Sequence, residues 1–421
     1  MPGDVTIDLD KLLPLYANLT VRIGLSLQRG QRLLIIGPLA NGGVALEAAP
    51  LVRAVTAAAY DAGARLVEPL WGDEPLQAVR YAHAPRDSFD EFSRWLPQAL
   101  VQHVEQGGAV LSIYANDPDS LKQMPPELVA TVQQSTARHA RPFREHISRN
   151  QINWCVVAAP APAWAARVFP GEAAGQQVPR LWEAIARLCR LDRPDPIAAW
   201  ETHLAELAER TTRLNRKAYT ALRYTGPGTK LTIGLPDGHV WVGGRSSSAN
   251  GIAFAPNLPT EEVFTMPHKD RVDGVVRSSK PLSYGGTLIE NFTFRFEQGR
   301  VVDVQAERGE QVLRTLIATD AGAARLGEIA LVPHSSPIAQ SGLLFYNTLF
   351  DENAASHVAL GAAYKFTMRS GEGMSDEAFE AVGGNRSATH VDFMIGSGEL
   401  DVDGVLPGGG VEPVMRGGEW I

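Results

Sequence analysis

The chain has 421 residues, a formal net charge of -8 and 44% hydrophobic residues. That length exceeds what one ordinary core accommodates, so two domains are expected, each with enough apolar content to bury its own core. The acidic balance, with no long run of one charge sign, argues against nucleic acid as a partner, because phosphate binding calls for a basic face.

The two cysteines, Cys155 and Cys189, are distant from each other and sit in apolar surroundings. They make neither a zinc ribbon nor a disulfide framework and read as core thiols of a reducing compartment. The start, Met1-Pro2-Gly3-Asp4-Val5, lacks the basic residues and apolar core of a signal peptide. No stretch reaches the roughly 18 apolar residues of a membrane span. A soluble cytoplasmic protein with no membrane partner is expected.

In chain order, the first half alternates strand-like and helix-like segments. Arg32 to Ile36 is a short apolar run closed by Gly37-Pro38 and reads as a buried strand. Ala45 to Ala62 predicts a helix stopped by Gly63, and Leu66 to Leu70 the next strand. Asp90 to Glu105 predicts a helix closed by Gly107-Gly108, Ala109 to Tyr114 a strand, Pro126 to Ser148 a polar helix and Trp154 to Ala159 a fourth strand. Strands alternating with helices imply a mostly parallel sheet in an α/β N-terminal domain. The segment Gly37 to Gly43 has neither the Lys-Ser/Thr of a Walker motif nor dinucleotide spacing, and reads as a glycine-rich turn.

Arg193-Pro194-Asp195-Pro196 breaks one helix, and Ala198 to Arg216 predicts another, with Leu204, Leu207 and Leu214 recurring. The domain boundary is placed there, giving domains 1–197 and 198–421. The second half is rich in glycine and in alternating segments. Asn291 to Glu297, Gln298-Gly299-Arg300 and Val301 to Val304 predict a hairpin with a glycine turn. The half reads as an α+β catalytic domain rich in antiparallel strands, partly barrel-like.

Candidate chemistry gathers in this second half. Thr389 to Gly396 has strand periodicity, so His390 and Asp392 share one face while Val391, Phe393 and Ile395 share the other. A carboxylate and an imidazole side by side on a rigid strand suit a metal. They equally suit a His–Asp hydrogen bond on a sheet face. Glu261-Glu262 is an acidic pair in an apolar segment, of which one side chain at most enters a given site. Glu328 opens an apolar strand after Gly327, and His357 lies seven residues before Tyr364. Carboxylates with imidazoles and no thiolate suit a hard-to-borderline divalent ion. The set exceeds what one ion needs, whereas two ions roughly 3.5–4 Å apart would use it fully. Spacing alone does not show that these residues converge.

The sequence resembles the thermophilic metallo-aminopeptidases, the aminopeptidase T and aminopeptidase S family. The resemblance is carried by Tyr224 to Thr229, Asn257 to Thr265, Phe350 to His357 and Thr389 to Asp392, with Ala163-Trp164-Ala165 and Val168-Phe169-Pro170 in the first half. It spans essentially the whole chain. It implies two catalytic divalent ions (zinc or cobalt, with magnesium or manganese as alternatives) held by Glu262, Glu328, His357, His390 and Asp392. Glu328 matches the bridging position and Tyr364 a tyrosine at the metals. It also implies a homodimer and an N-terminal α/β domain; that domain shows no catalytic constellation of its own and is assigned to dimerisation and to restricting access, and a sequestered site favours short peptide substrates. Glu261, adjoining a ligand, is the candidate general base. Two other readings stand beside this one. They are a mononuclear iron ring-cleaving dioxygenase on a related scaffold and a non-enzymatic binding protein with a structural acidic cluster.

Overall fold

The computed structural model describes residues 7–284 and 287–421. Residues 1–6, which carry the reading against a signal peptide, lie outside them. The chain divides into two compact units. One comprises Met1–Leu204, Arg245–Pro259 and Leu344–Leu349, the other Ala205–Gly244, Thr260–Leu343 and Phe350–Ile421. The division thus falls inside the helix Pro196–Lys217.

In the first unit, β1 (Arg32–Ile36), β2 (Leu66–Pro69), β3 (Ala109–Tyr114) and β4 (Trp154–Ala158) form one parallel sheet in the order β2-β1-β3-β4. Leu33, Ile35, Leu111 and Val157 are fully buried, as expected of parallel strands whose runs are nearly all apolar. Helices α1 (Leu9–Leu19), α2 (Ala49–Asp61), α3 (Glu74–His83) and α4 (Trp95–Glu105) belong to this unit. α4 starts five residues later than the sequence predicts. Ser135 Oγ takes the Asp90 carbonyl at 2.8 Å and Phe92 stacks on His139 at 5.0 Å, so residues 90–92 are tethered outside a helix.

The predicted helix from Pro126 to Ser148 is two helices, α5 (Pro126–His139) and α6 (Arg141–Ser148). Pro142 has no N–H for the carbonyl four residues back and its ring crowds that carbonyl, and here the helix breaks at Ala140, just before it. Residues 245–259 join this unit through backbone bonds. Val156 N–H donates to the Pro256 carbonyl at 2.7 Å, and Leu258 N–H to the Val156 carbonyl at 3.0 Å. Cys155 and Cys189 are both buried. No helix among the described residues is long and apolar enough to cross a membrane.

The second unit contains β5 (Ala221–Gly226), β6 (Thr229–Gly234), β7 (Val263–Thr265), β8 (Val272–Arg277), β9 (Thr287–Glu297), β10 (Arg300–Arg308), β11 (Leu326–Leu331), β12 (His357–Gly361), β13 (His390–Met394), β14 (Asp401–Val405) and β15 (Val411–Arg416). A nine-stranded antiparallel sheet runs β9-β8-β6-β5-β14-β15, with β10 on β9 and short strands at both ends. Alternation buries Phe292, Phe294 and Phe296 in its core. The β9–β10 turn places Gln298 at φ 49° and Gly299 at φ 78°. A Cβ on Gly299 would strike the Lys269 carbonyl oxygen, so this hairpin needs glycine. The expected barrel-like character is not formed, since among the described residues the end strands of this sheet do not pair with each other.

A second antiparallel sheet, in the order β7-β11-β12-β13, carries the candidate site. Residues opposite one another form rows across it, Phe264–Ala330–His357–Met394 and Glu328–Ala359–Asp392. Period-2 alternation then sorts its side chains into two faces. Val263, Ile329, Leu331, Val358, Leu360, Val391 and Phe393 all enter the apolar core of the unit. The other face carries Phe264, Glu328, His357, His390 and Asp392, with Ala330, Ala359 and Met394 beside them.

Candidate metal centre

The candidate ligands come from all four strands of the small sheet or their immediate flanks. Glu262 precedes β7, Glu328 is on β11, His357 opens β12, and His390 and Asp392 are on β13. Two small residues stand in the rows, Ala359 between Glu328 and Asp392 and Ala330 between Phe264 and His357. The β11–β12 register slips between Leu326 and Glu328. Gly327 occupies that bulge, where a Cβ would lie 2.3 Å from the carbonyl oxygens of both Gly361 and Ala362. The close approach excludes any larger residue and fixes the place of Glu328.

Glu262, Glu328 and His357 offer ligand atoms all within 4.8 Å of one another, and so do Glu328, His390 and Asp392. The two groups share Glu328. His357 Nε2 lies 3.2 Å from Glu262 Oε2 and 3.6 Å from Glu328 Oε1. His390 Nε2 lies 3.7 Å from Glu328 Oε2 and 3.5 Å from Asp392 Oδ1. Glu262, Glu328 and His357 are buried, and His390 and Asp392 half-buried.

The outward nitrogens of both histidines are occupied. His357 Nδ1 bonds the Ala355 carbonyl at 3.1 Å, and His390 Nδ1 the Ala362 carbonyl at 2.7 Å. A donor Nδ1–H fixes the tautomer, so each Nε2 presents a lone pair to the cluster once deprotonated, the usual arrangement behind a metal-binding histidine. Glu262 Oε2 and Asp392 Oδ1 are buried, and apart from the imidazole nitrogens at 3.2 Å and 3.5 Å no hydrogen-bond donor satisfies them. Unsatisfied buried carboxylate oxygens are costly, and a cation between them removes the cost. The residues therefore fit divalent ions.

Protonation shows the same excess of negative charge. Burial pushes the Glu328 carboxyl up, against the His357 hydrogen bond. Burial works against charge on both imidazoles, yet the carboxylates win. Hydrogen bonds to Glu262 and Glu328 hold His357 well above the usual histidine range, and the bond to Asp392 holds His390 at about 9. Burial would also raise Asp392, but the His390 bond keeps it low. Without ions, protons on the histidines stand in for the missing positive charge.

Tyr364 packs its ring 4.9 Å from that of His390. Burial and then the charges of Glu328, Asp392, Glu352 and Glu262 push its phenol well above the ordinary tyrosine value, so it keeps its proton as a donor. Glu261 is buried but belongs to neither ligand group. Its N–H donates to Asn353 Oδ1 at 2.7 Å, and its charge acts on Arg210 in the helix Pro196–Lys217.

One acid that the sequence reading leaves out is Glu352, on the short turn Glu352–Ala354. Burial and then the charges of Glu262 and Asp392 hold its carboxyl well above the usual range, so it faces the same cluster. The available signal was an acid between Phe350 and Ala354, five residues before His357.

The pattern of the Peptidase M29 family, described as thermophilic metalloprotease, matches residues 9–420. The chain is 47% identical over 411 residues to aminopeptidase 2 of Geobacillus stearothermophilus, covering 98% of each. It is 47% identical over 406 residues to aminopeptidase T of Thermus thermophilus, covering 96% of this chain and 97% of the relative. The solved structure of wild-type AmpT from Thermus thermophilus matches with a TM-score of 0.92 at 45% identity, covering 98% of this chain and 100% of that one. A 2,5-dihydroxypyridine dioxygenase from Pseudomonas putida matches with a TM-score of 0.51 at 11% identity, covering 99% of this chain and 98% of that one, a likeness of fold alone. With its full length matched and its carboxylate–imidazole cluster intact, the chain belongs to the thermophilic metalloprotease family M29.

Proposed function

We propose that this metallo-aminopeptidase holds two divalent ions and uses them to remove the N-terminal residue from short peptides. One ion would be held by Glu262, Glu328 and His357, the other by Glu328, His390 and Asp392. The observation that carries the reading is Glu328, the one residue common to both ligand groups. Glu352 is a further carboxylate within reach of the same charges. Mixed imidazole and carboxylate donors without thiolate suit zinc or cobalt, and accept magnesium or manganese.

Bound there, the ions would supply Lewis acidity toward the scissile carbonyl and lower the pKa of a coordinated water from about 15.7 toward 7. The protein groups do the rest. Glu261, adjoining Glu262 and anchored through its N–H, is the proposed acceptor of the proton released by the attacking water. Tyr364, kept protonated by the surrounding carboxylates, donates a hydrogen bond to the carbonyl oxygen as negative charge builds there. The acidic cluster favours a substrate with a free, positively charged amino terminus over an internal peptide bond. The first unit is assigned to homodimer assembly, which light scattering checks; a fully active monomer would remove that assignment.

The test is hydrolysis of a leucyl-arylamide by protein loaded with zinc or cobalt, with metal content measured alongside. Two ions per chain and activity abolished by a chelator are expected. One bound iron with ring cleavage of an aromatic diol would favour the dioxygenase reading, and stable folding with neither metal nor hydrolysis a binding protein.

A further inference from the structure

Three aromatic rings form a row that reaches the cluster through Tyr364, and none of them belongs to the apolar core of the unit. Phe264 lies on β7, two residues beyond Glu262 and therefore on the same face. Its ring meets Phe366 edge-on, with centroids 6.1 Å apart and planes at 83°. Phe366 stacks on Tyr364 at 5.2 Å and 19°. Tyr364 in turn reaches the His390 ring at 4.9 Å. The row thus runs from one outer strand of the small sheet to the other, from β7 to β13.

Phe264 and Phe366 are half-buried and Tyr364 is 37% exposed. Aromatic side chains bury most of their surface when packing alone decides their place. Here a row of rings keeps surface open beside the ligands, where the reacting bond must lie. In an aminopeptidase the scissile carbonyl is bonded to the Cα of the first residue, so the side chain of that residue must lie beside the same ions.

We infer that Phe264, Tyr364 and Phe366 wall the pocket for the first side chain of the substrate, and that the enzyme prefers large apolar first residues. The inference rests on the peptidase reading above. A leucyl or phenylalanyl side chain would cover ring surface now open to water, a gain that a glycyl residue cannot make. An acidic first side chain would meet the charges of Glu262 and Glu328. Phe366 is the residue to change, because it touches both other rings and is no ligand.

The experiment compares kcat/KM of metal-loaded wild type and Phe366→Ala on leucyl-, phenylalanyl-, glycyl- and glutamyl-arylamides. The wild type is expected to favour leucyl over glycyl by more than about tenfold, the scale on which apolar pockets discriminate. Phe366→Ala should lower that ratio about tenfold, mainly through KM for the large substrates, while binding the same number of ions in equilibrium dialysis. An unchanged ratio, or a wild type that cuts glycyl as fast as leucyl, overturns the inference. If Phe366→Ala fails to fold, Phe264→Leu serves with the same criteria. Calorimetry of L-phenylalaninol against ethanolamine separates this inference from the peptidase reading. If no arylamide is cut, the peptidase reading fails. Tight phenylalaninol binding lost in Phe366→Ala would then still uphold the wall, and equal binding of both amines would end it.

Discussion

Glu328 turns Oε1 toward His357 Nε2 at 3.6 Å, and its other oxygen, Oε2, lies 3.7 Å from His390 Nε2. One carboxylate thereby belongs to both ligand groups. Replacing it by alanine should cost both ions. Removing a residue behind a ligand typically costs about 10–100-fold in affinity, so losing a shared ligand should exceed about a hundredfold at each position. Metal content after dialysis and arylamide hydrolysis check this. A Glu328→Ala variant that retains two ions and wild-type turnover would end the two-ion proposal.

The parts of this site that were legible in the sequence are those governed by period. His390 and Asp392 announce a shared face because the apolar residues Val391 and Phe393 alternate with them, and both enter the core. The parallel sheet was legible for a similar reason, in that runs such as Arg32–Ile36 are almost wholly apolar. Glu352 sits on a three-residue turn, where no period marks which way an acid points. Convergence was not legible either. It depends on strand register, and here on the bulge at Gly327, whose need for glycine is a contact with residues 361 and 362. The assignment of residues 245–259 to the first unit rests on backbone bonds to β4, which leave no sign in composition.

Asn353 joins two segments that the acidic cluster would push apart. Its Oδ1 accepts the Glu261 N–H at 2.7 Å, linking the chain that carries Glu262 to the turn that carries Glu352. Asn353→Ala leaves a buried N–H without this acceptor, which costs about 1–3 kcal/mol. Metal affinity should drop about 10–100-fold as Glu262 loses its anchor. Asn353→Asp keeps an acceptor oxygen and should recover most of that affinity. Thermal unfolding without ions and calorimetric titration with zinc separate the two effects. If alanine lowers the melting temperature while metal affinity stays at the wild-type level, Asn353 supports the fold alone.

Ala359 stands between Glu328 and Asp392 in one row of the sheet. A leucine there would project three more heavy atoms into the space the ions are proposed to share. Overpacking of this kind costs about 1–3 kcal/mol, which a unit with so large a core should survive. The expected result is a folded Ala359→Leu protein, judged by circular dichroism, that binds at most one ion and hydrolyses no arylamide. Retention of two ions would mean that the space above Ala359 is not where they lie.

Metal uptake should release protons, and its pH dependence follows from the histidines. Without ions, and against burial, the Asp392 carboxylate pushes His390 up to about 9 from the usual 6.5, and His357 is also raised, so both are largely protonated at neutral pH. A raised histidine pKa means that this interaction adds stability to the ion-free fold below about pH 6.5 and loses it as pH climbs through about 9. Ion binding has the opposite sign, because a ligand must surrender its proton. Zinc affinity should therefore increase from pH 6 toward 9 while the ion-free protein grows less stable over pH 6.5–9. Titrations in two buffers of different ionisation enthalpy count the protons directly, and more than one per chain should be released at pH 7.5. His390→Gln should lower that count. A proton count near zero in the wild type would mean that the imidazoles are already neutral, and that the carboxylates do not act on them as the 3.2 Å and 3.5 Å contacts of His357 and His390 imply.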